Sequence, residues 1–564
     1  MPLLSFPRIF LILCIPASTM SIAAKVFGIW ELGHMIVGFL VKVQDILTIC
    51  LVNKTCYAFA RPYLFRAISL PPISVNHPSK TRRGLGPFHK RFKSELSSYT
   101  QSLSIYGHVV AGTTLNSIRP EHHQWKFQEI SHQELNTKIN RLFNGIEQIL
   151  ACTPRLRAIT SYDLPRSFDL IILLQRQCMN IEFIRIIPSE HDTRGFSIKV
   201  PSPNLMDDCA FPLWNGINLL PSPYIIPQIN FPNLKSLSLS CLKLSQHHSR
   251  GIASILRGSP NLKHLELFTY PANTPAMTDC LFRRICQHYH ESGAQPLRLQ
   301  SIKLTAGVEL RNDNGLNLGV SHYLAALTEL DHLEDLNLEF PDFVFLPMTH
   351  RGSLFLRPNI TSLLINGDFS RLRRLSMPHI DGYIWELLAK LDDEYASNLV
   401  VRVNGCGRLN EGKCLRQYKR YARKLGRFNG LVLENMPQPR HVMLPDLART
   451  KSLKISVSFI LGWNQLRHIL DRLPRAPELC EIWITNGVDM ESCNYSQKQQ
   501  ILRRLVGRSP NLSFVRICNE LWRVLKGTPT KHPSPPVIKA LPLDHPDSAT
   551  PRAFDFSMSY PRGL

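Results

Sequence analysis

Histidine, cysteine and carboxylate side chains are the groups in this sequence that could bind a metal ion or move a proton. The densest set is Cys286, His288 and His290, and a pair of histidines stands at 247–248. On a helix, residues two apart point in different directions, so these three do not converge on one ion. No second ligand pair stands at zinc-finger spacing. We therefore predict no metal site and no cofactor.

Catalytic motifs give the same answer. The sequence contains no phosphate-binding Gly-rich loop, no G-x-S-x-G elbow and no H-E-x-x-H pair. Neighbouring carboxylates at 207–208 and 392–394 stand among polar, turn-forming residues, which favours a solvated surface. These observations predict a protein that is not an enzyme.

Basic residues are in excess, with 66 lysines and arginines against 43 acidic residues and a net charge of +23. Segment 413–427 holds seven of the cations on one predicted helix. Such a helix could bind phosphate or anionic lipid, or it could be the solvated outer face of a repeat helix, and both interpretations stay open.

The elements that would position any binding residue begin with segment 29–70. Apolar residues recur there at helical spacing in three short blocks, and Arg61-Pro62 is expected to end the last one. Three short helices cannot bury a large core by themselves. Part of their apolar surface is therefore expected to face a partner or the rest of the chain.

This segment resembles an F-box of the fungal type. The likeness runs through Glu31-Leu32, Ile36, Leu40, Asp45-Ile46-Leu47, Leu51-Val52-Asn53-Lys54, Ala60-Arg61-Pro62, Leu64-Phe65-Arg66, Ile68 and Leu70. The family's Leu-Pro opening is Ile29-Trp30 here, and Gly33 weakens the first helix by roughly 1 kcal/mol relative to Ala. The other interpretation is an ordinary helical subdomain without a partner.

The resemblance implies docking on a small Skp-type adaptor, and through it on a cullin. The residues expected at the adaptor contact are Leu32, Ile36, Leu40, Ile46, Leu47, Leu51, Val52, Pro62 and Leu64. Some of them must instead hold the helices together, and the sequence does not sort these two roles.

An internal repeat follows. The frame Pro-Asn-Leu-x-x-Leu-x-Leu at 232–239 recurs at 260–267, and L-x-x-L-x-L frames begin again at Leu299, Leu333 and Ile360, with spacings of 28, 37, 34 and 27 residues. Further copies are Leu479/Ile482/Ile484 and Leu512/Val515/Ile517, and weaker ones include Phe428/Leu431/Leu433 and Leu453/Ile455. The pattern resembles irregular leucine-rich repeats, in which stacked strand-plus-helix units bury a continuous core.

In this frame the last two leucines are expected to point into the core, so the residues flanking the middle leucine face the concave surface. The expected substrate-binding residues are Ser236, Ser238, His264, Glu266, Ser301, Lys303, Asp335 and Asn337. They are mixed and polar, which favours recognition of a protein over a nucleic-acid groove.

The predicted fold class is thus an α/β repeat. A three-helix F-box at 27–70 follows an N-terminal extension at 1–26. A basic linker at 71–98 leads to a leucine-rich-repeat-like solenoid at 99–526 with an insertion near 188–230. A disordered Pro-rich tail is expected at 527–564.

Fourteen scattered cysteines without a C-x-x-C pair favour reduced thiols in the cytoplasm or nucleus. A weak signal-peptide pattern follows Arg8, and the other interpretation takes Met20 as the true start. No stretch reads as membrane-spanning.

The expected function is that of a substrate receptor in a Skp–cullin–F-box (SCF) type E3 ubiquitin ligase, with an unknown protein substrate. The alternative is a non-catalytic repeat scaffold that binds nucleic acid or another anionic partner.

Overall fold

The fold is described from a computed structural model. The structure describes residues 43–51, 54–70, 73–74, 98–108, 132–162, 167–187, 229–242, 246–269, 275–305, 323–339, 369–377, 391–404, 426–436, 447–457, 475–485, 495–517, 520–525 and 537–541. All structural statements below concern these residues.

Nine helices are described, and helices alternate with strands from residue 132 to 187 and from 236 to 339 among the described elements. They are α1 (Val43–Cys50), α2 (Lys54–Leu64), α3 (His132–Ala151), α4 (Ser167–Gln177), α5 (Gln246–Arg257), α6 (Pro275–Glu291), α7 (Tyr323–Leu327), α8 (Asp393–Asn398) and α9 (Tyr495–Arg508), with one 3-10 turn at Leu330–His332.

The strands are short, as a repeat with one strand per unit requires. They are β1 (Ala67–Ser69), β2 (Ile73–Ser74), β3 (Ser102–His108), β4 (Ala158–Tyr162), β5 (Phe183–Ile187), β6 (Ser236–Leu242), β7 (His264–Thr269), β8 (Ser301–Thr305), β9 (Asp335–Glu339), β10 (Arg374–Met377), β11 (Val400–Asn404), β12 (Gly430–Met436), β13 (Ser452–Val457), β14 (Glu481–Thr485), β15 (Phe514–Ile517), β16 (Glu520–Leu525) and β17 (Val537–Leu541).

A tight turn precedes the first leucine or isoleucine of most of the repeat frames that the structure describes. Leu262 N–H donates to the carbonyl of Ser259 at 3.1 Å, and Leu512 N–H donates to that of Ser509 at 3.0 Å. The same turn precedes Leu156, Ile181, Leu234, Leu333, Leu372 and Leu479. At Leu156, Ile181, Leu262 and Leu512 the turn follows a described helix and leads the chain back to the sheet.

A second backbone pattern joins neighbouring repeats. The carbonyl of Lys263, just before β7, accepts hydrogen bonds from two successive N–H groups, those of Gln300 at 2.7 Å and Ser301 at 3.0 Å. The carbonyls of Arg66, Gln101, Arg157, Glu182, Gln300, Glu334, Asn429, Lys451 and Cys480 accept in the same way. This repeated pairing sets the register of the parallel strands.

The chain divides into two compact units, with the boundary inside β6, after Ser238. In unit 1, β1, β3, β4 and β5 pair in parallel, in chain order, and β2 extends the β1 edge against the end of β3. Residues at alternate strand positions are fully buried, for example Leu103, Ile159 and Ile184.

Unit 2 contains an uninterrupted parallel ladder from β7 to β15, followed by the antiparallel strands β16 and β17. The second residue of every ladder strand has no exposed surface, as in Leu265, Leu336 and Val515. Helix α5 packs against α6, and α6 packs against α7. The protein is therefore a mixed α/β chain with a mostly parallel, open sheet, as an α/β repeat requires.

The structure corrects three expected boundaries. Helix α2 does not end at Arg61-Pro62 but continues to Leu64, because Pro62 lies in its last turn and the Phe65 N–H still donates to Arg61 O at 3.2 Å. The sheet begins at β1, inside the range expected to be helical. The tail from 527 is not wholly without structure, since β17 pairs with β16.

Two strands of the parallel ladder in unit 2, β10 and β11, were not predicted from the sequence, and neither were β1, β2, β3, β16 and β17. Arg374 of β10 pairs directly with Asp335 of β9, so the frame at Leu372 supplies the next strand of the ladder after β9. The copy expected at Ile360/Leu363/Ile365 lies outside the described residues, as do the expected first F-box helix and most of the insertion at 188–230.

Candidate functional site

Helices α1 and α2 form a small hairpin with one shared apolar core. Ile46 of α1 meets Phe59 and Ala60 of α2, and all three are buried. The residues packed around them are half-buried: Ile49, Cys50, Tyr63 and Leu64. The hairpin therefore uses one face of each helix for its own packing, as amphipathic helices do.

The same hairpin keeps large apolar side chains in solvent. Leu47 is 44% exposed, Leu51 is 87% exposed and Tyr57 is 42% exposed. Leu47 and Leu51 are four residues apart, a spacing that places both on one side of α1 and its final turn. Of the five large apolar residues exposed in the described parts of the chain, three belong to this hairpin, and the others are Met179 and Leu525.

The nine predicted adaptor-contact residues separate into four groups. Leu47 and Leu51 are exposed. Ile46 is buried in the hairpin core, where it cannot contact a partner, and Pro62 and Leu64 are half-buried. Leu32, Ile36, Leu40 and the side chain of Val52 lie outside the described residues. Tyr57 is exposed but was not predicted as a contact, although its place in the third apolar block could have suggested it.

Tyr99, Thr100 and Gln101, just before β3, contact the end of the hairpin. The guanidinium of Arg61 lies 6.0 Å from the Tyr99 ring centroid. The Thr100 hydroxyl donates to the Phe65 carbonyl at 3.2 Å. Arg66 Nε donates to Gln101 Oε1 at 3.1 Å. The hairpin thus passes into β1 with side-chain contacts on both sides of the junction.

The predicted concave-face residues all occupy the first or third position of their strands, on the face opposite the buried leucines. Five of the eight are nonetheless buried: Ser236, Ser238, Glu266, Ser301 and Asn337. His264, Lys303 and Asp335 are half-buried. Neighbouring strands are about 4.8 Å apart, so longer side chains shield the short ones between them. The expectation of an open polar surface was therefore wrong for most of these residues.

Ion pairs across strands neutralise this part of the face. The Lys303 ammonium lies 3.2 Å from the Glu266 carboxylate, and Arg374 binds the carboxylate of Asp335. Burial lowers the pKa of His264, and the nearby charges of Lys263 and Arg374 lower it further, while Glu334 opposes them. His264 is therefore held in its neutral form on this face.

The same rule of flanking positions, applied to the later copies, gives residues that the sequence analysis did not name. The third strand position holds Arg402 in β11, Val432 in β12, Lys454 in β13, Trp483 in β14 and Arg516 in β15. The sequence frames around Leu431, Leu453, Ile482 and Val515 already included Val432, Lys454, Trp483 and Arg516 as flanking residues. Only Arg402 had no predicted frame beside it.

One group of described residues brings metal-binding atoms within 4.8 Å of each other: Glu329, Asp331 and His332. The Glu329 carboxylate is 3.1 Å from both Arg298 Nε and His332 Nδ1. The Glu329 carboxylate is thus already paired with the Arg298 guanidinium, and we assign no metal site to these three residues. On α6, Cys286 is buried whereas His290 is exposed, so these two side chains leave the helix in different directions.

Six cysteines in the described part of the chain form no disulfide bond: Cys50, Cys56, Cys152, Cys178, Cys286 and Cys480. Burial raises the pKa of the Cys178 thiol to about 12, which makes it unreactive at neutral pH. From the basic segment 413–427, only the last two residues are described, and Arg427 forms an ion pair of 2.7 Å with Asp393.

No protein-family model matches the chain, and a search of curated proteins finds no similar sequence. The described helices include none with the length and apolarity needed to cross a bilayer.

Proposed function

We propose that this chain is the substrate receptor of an SCF-type E3 ubiquitin ligase, an F-box protein with leucine-rich repeats that acts in the cytoplasm or nucleus. The single observation that carries the proposal is the exposure of Leu47, Leu51 and Tyr57 on a hairpin whose opposite faces are packed. Exposed apolar residues grouped on so small an element are typical of a docking surface.

In this function the hairpin α1–α2 docks on a Skp-type adaptor, and the parallel ladder holds a protein substrate. The receptor performs no bond chemistry. It raises the effective concentration of substrate lysines near the ubiquitin-charged enzyme, because a tethered encounter replaces a bimolecular one. The contacts at Tyr99, Thr100 and Gln101 support this role, since they limit the motion of the hairpin relative to β1 and β3.

Adaptor capture tests the proposal. The full chain is co-expressed with a Skp-type adaptor and purified, and we expect the adaptor to be recovered with the wild type but not with the double variant Leu47→Asp, Leu51→Asp. Burying two carboxylates in an apolar contact costs several kcal/mol. Equal recovery with both proteins would overturn the proposal.

A matched control exists in the chain. Met179 and Leu525 are also exposed large apolar residues, and they lie outside the hairpin. The double variant Met179→Asp, Leu525→Asp introduces the same charges and should retain the adaptor. Circular dichroism of both variants checks that the chain stays folded.

A second candidate is a non-catalytic scaffold that binds nucleic acid or another anionic partner, and the net charge of +23 favours it. In that case non-specific nucleic acid would bind with a steep dependence on salt and no adaptor would be captured. The same preparations distinguish the two functions.

A further inference from the structure

One cation stands among the exposed apolar residues of the α1–α2 hairpin. Lys54 is the first residue of α2 and is exposed, three residues after Leu51 and three before Tyr57. Leu51 is 87% exposed and Tyr57 is 42% exposed, and Leu47 on α1 is 44% exposed. We call these four residues, Leu47, Leu51, Lys54 and Tyr57, the docking face.

Lys54 lies on the side of α2 that carries Tyr57. Residues three and four positions apart are neighbours on a helix surface, so Lys54, Tyr57 and Ala58 form one stripe, and all three are exposed. Phe59 and Ala60 are on the buried side of the same helix, against α1. The Lys54 ammonium therefore belongs to the surface of the hairpin that is available for docking and not to its core.

The described chain supplies no carboxylate for this ammonium. Lys54 forms no ion pair or side-chain hydrogen bond with the residues that the structure describes. The surrounding sequence has few anions to offer, since no aspartate or glutamate stands between Asp45 and Glu95, whereas the same stretch contains nine lysines and arginines. The hairpin thus leaves Lys54 to solvent or to a partner.

Helix stability does not explain a lysine at this position. The first residue of a helix lies at the positive end of the helix dipole, where an acidic side chain is stabilising and a cation is destabilising. The first turn of α2 contains no acidic residue that would offset Lys54. A residue that opposes local stability is expected mainly at functional sites, which favours a role for Lys54 in binding.

A single cation among apolar residues favours a protein as the partner. Among the exposed side chains of the described hairpin, Lys54 is the one cation. Binding of nucleic acid or of anionic lipid depends on several cations that act together. Protein interfaces instead combine an apolar centre with a charged rim, and complementarity then places a carboxylate opposite the lysine.

We propose that the docking face recognises an apolar surface of the Skp-type adaptor that is bordered by a carboxylate, and that Lys54 pairs with this carboxylate. This pairing rests on the proposed function, because the adaptor is the partner proposed there. The new element is the chemistry that the adaptor surface must present: apolar side chains opposite Leu47, Leu51 and Tyr57, and an acidic one opposite Lys54.

Biolayer interferometry with the full chain and a purified Skp-type adaptor tests the pairing, with association measured at several salt concentrations. We expect Lys54→Glu to lower the affinity at least about tenfold, because two carboxylates would then face each other. The association rate of the wild type should fall as salt is added, whereas that of Lys54→Glu should rise, because salt screens attraction in the first case and repulsion in the second.

Unfolding would not account for such a loss. A glutamate in the first turn is favoured by the helix dipole, so Lys54→Glu should leave α2 at least as stable as in the wild type. Hydrogen exchange at the α2 amides checks this expectation. Lys54→Met, which removes the charge but keeps the aliphatic stem, should bind with an affinity between those of the wild type and Lys54→Glu.

The matched control makes the same charge reversal elsewhere in unit 1. Arg155 is exposed in the turn before β4, and Arg155→Glu should bind the adaptor as the wild type does. Equal loss in both variants would assign the effect to overall charge and overturn the proposal. So would a loss in Lys54→Glu that is accompanied by faster exchange in α2.

Two further outcomes separate the role of Lys54 from the proposed function. A wild type that binds no adaptor overturns the ligase and, with it, the pairing. Equal adaptor binding by the wild type and Lys54→Glu leaves the ligase standing and overturns the pairing alone. Loss of single-stranded oligonucleotide binding in that variant would then identify a nucleic acid as the partner of Lys54.

Discussion

Arg66 and Gln101 join the helical hairpin to the sheet through both side chain and backbone. Arg66 Nε donates to Gln101 Oε1 at 3.1 Å, and the Arg66 carbonyl accepts the Gln101 N–H at 2.8 Å. Arg66 lies two residues after the end of α2, and Gln101 immediately precedes β3. The proposed docking element therefore ends in the first strand of the sheet, with no free linker at this point.

Arg66→Met should loosen this junction. The variant keeps the backbone bond and loses the side-chain bond, so we expect the free energy of local unfolding to fall by about 1 kcal/mol. Hydrogen exchange at the amides of α2 and β1 measures it. Arg155→Met removes an exposed arginine of the same unit and should leave exchange unchanged. If both variants exchange alike, the side-chain bond contributes nothing.

Ile46→Ala and Leu51→Ala should separate the core of the hairpin from its surface. Ile46 is buried against Phe59, so its truncation should cost about 2–5 kcal/mol and unfold much of the hairpin. Leu51 is 87% exposed, and its truncation should change stability by less than about 0.5 kcal/mol. Hydrogen exchange of the α1 amides measures both.

Adaptor capture gives the same pair of variants a second outcome. Leu51→Ala should weaken capture while the hairpin stays folded. Ile46→Ala should weaken it only through unfolding. A stable Leu51→Ala variant with full capture would contradict the proposed contact.

The repeat frame was predictable because a leucine at a regular position in the sequence frame directly predicts a buried side chain. Leu262, Leu265 and Leu267 of the sequence frame are all buried where the frame placed them, since strand periodicity and apolar character are local properties. Strands β10 and β11 escaped prediction because Met377 and valines replace the leucines of the frame. The candidate hairpin was found, but its division into core and surface was not.

The solvent exposure of individual side chains could not be predicted from the sequence. Ser236 and Glu266 were expected on the concave surface, and both are buried. Glu266 lies in register with Lys303 of the adjacent strand, whose ammonium is 3.2 Å from its carboxylate. Ile46 and Leu47 are chemically alike and adjacent, and only the packing of α1 on α2 shows that the first is core and the second surface. Such differences depend on tertiary contacts, which one sequence does not specify.

Two serines at equivalent points of the repeat make a matched pair. Ser259 and Ser509 are both buried and both precede a Pro-Asn-Leu turn. The Ser259 hydroxyl donates to the Ile255 carbonyl at 2.7 Å, whereas the Ser509 hydroxyl has no hydrogen-bond partner in the described structure. Ser259→Ala should therefore destabilise unit 2 by about 1 kcal/mol, because it removes a buried hydrogen bond.

Ser509→Ala should be neutral or stabilising, because it removes a buried hydroxyl that gains nothing in return. Calorimetry of the two variants beside the wild type measures the difference in unfolding temperature. An equal loss in both would mean that the Ser259 bond is not what stabilises that turn.

Glu481 should make the stability of unit 2 depend on pH. Burial raises the pKa of Glu481 above its ordinary value of 4.5, so in the range just above that value the folded chain keeps a proton that the unfolded chain has lost. The contribution of Glu481 to stability is therefore fully present below pH 4.5 and is lost as pH rises through the folded-state pKa.

Glu481→Gln, which can still accept the hydrogen bond that the Ser452 hydroxyl donates to Glu481, should unfold at the same temperature as the wild type near pH 4 and at a higher temperature at pH 7. Glu478→Gln changes an exposed carboxyl three residues away and should shift neither temperature. A Glu481→Gln variant that is less stable than the wild type at pH 7 would show that the charged carboxylate is favourably held, because a carboxyl buried at a cost makes the wild type less stable as pH rises.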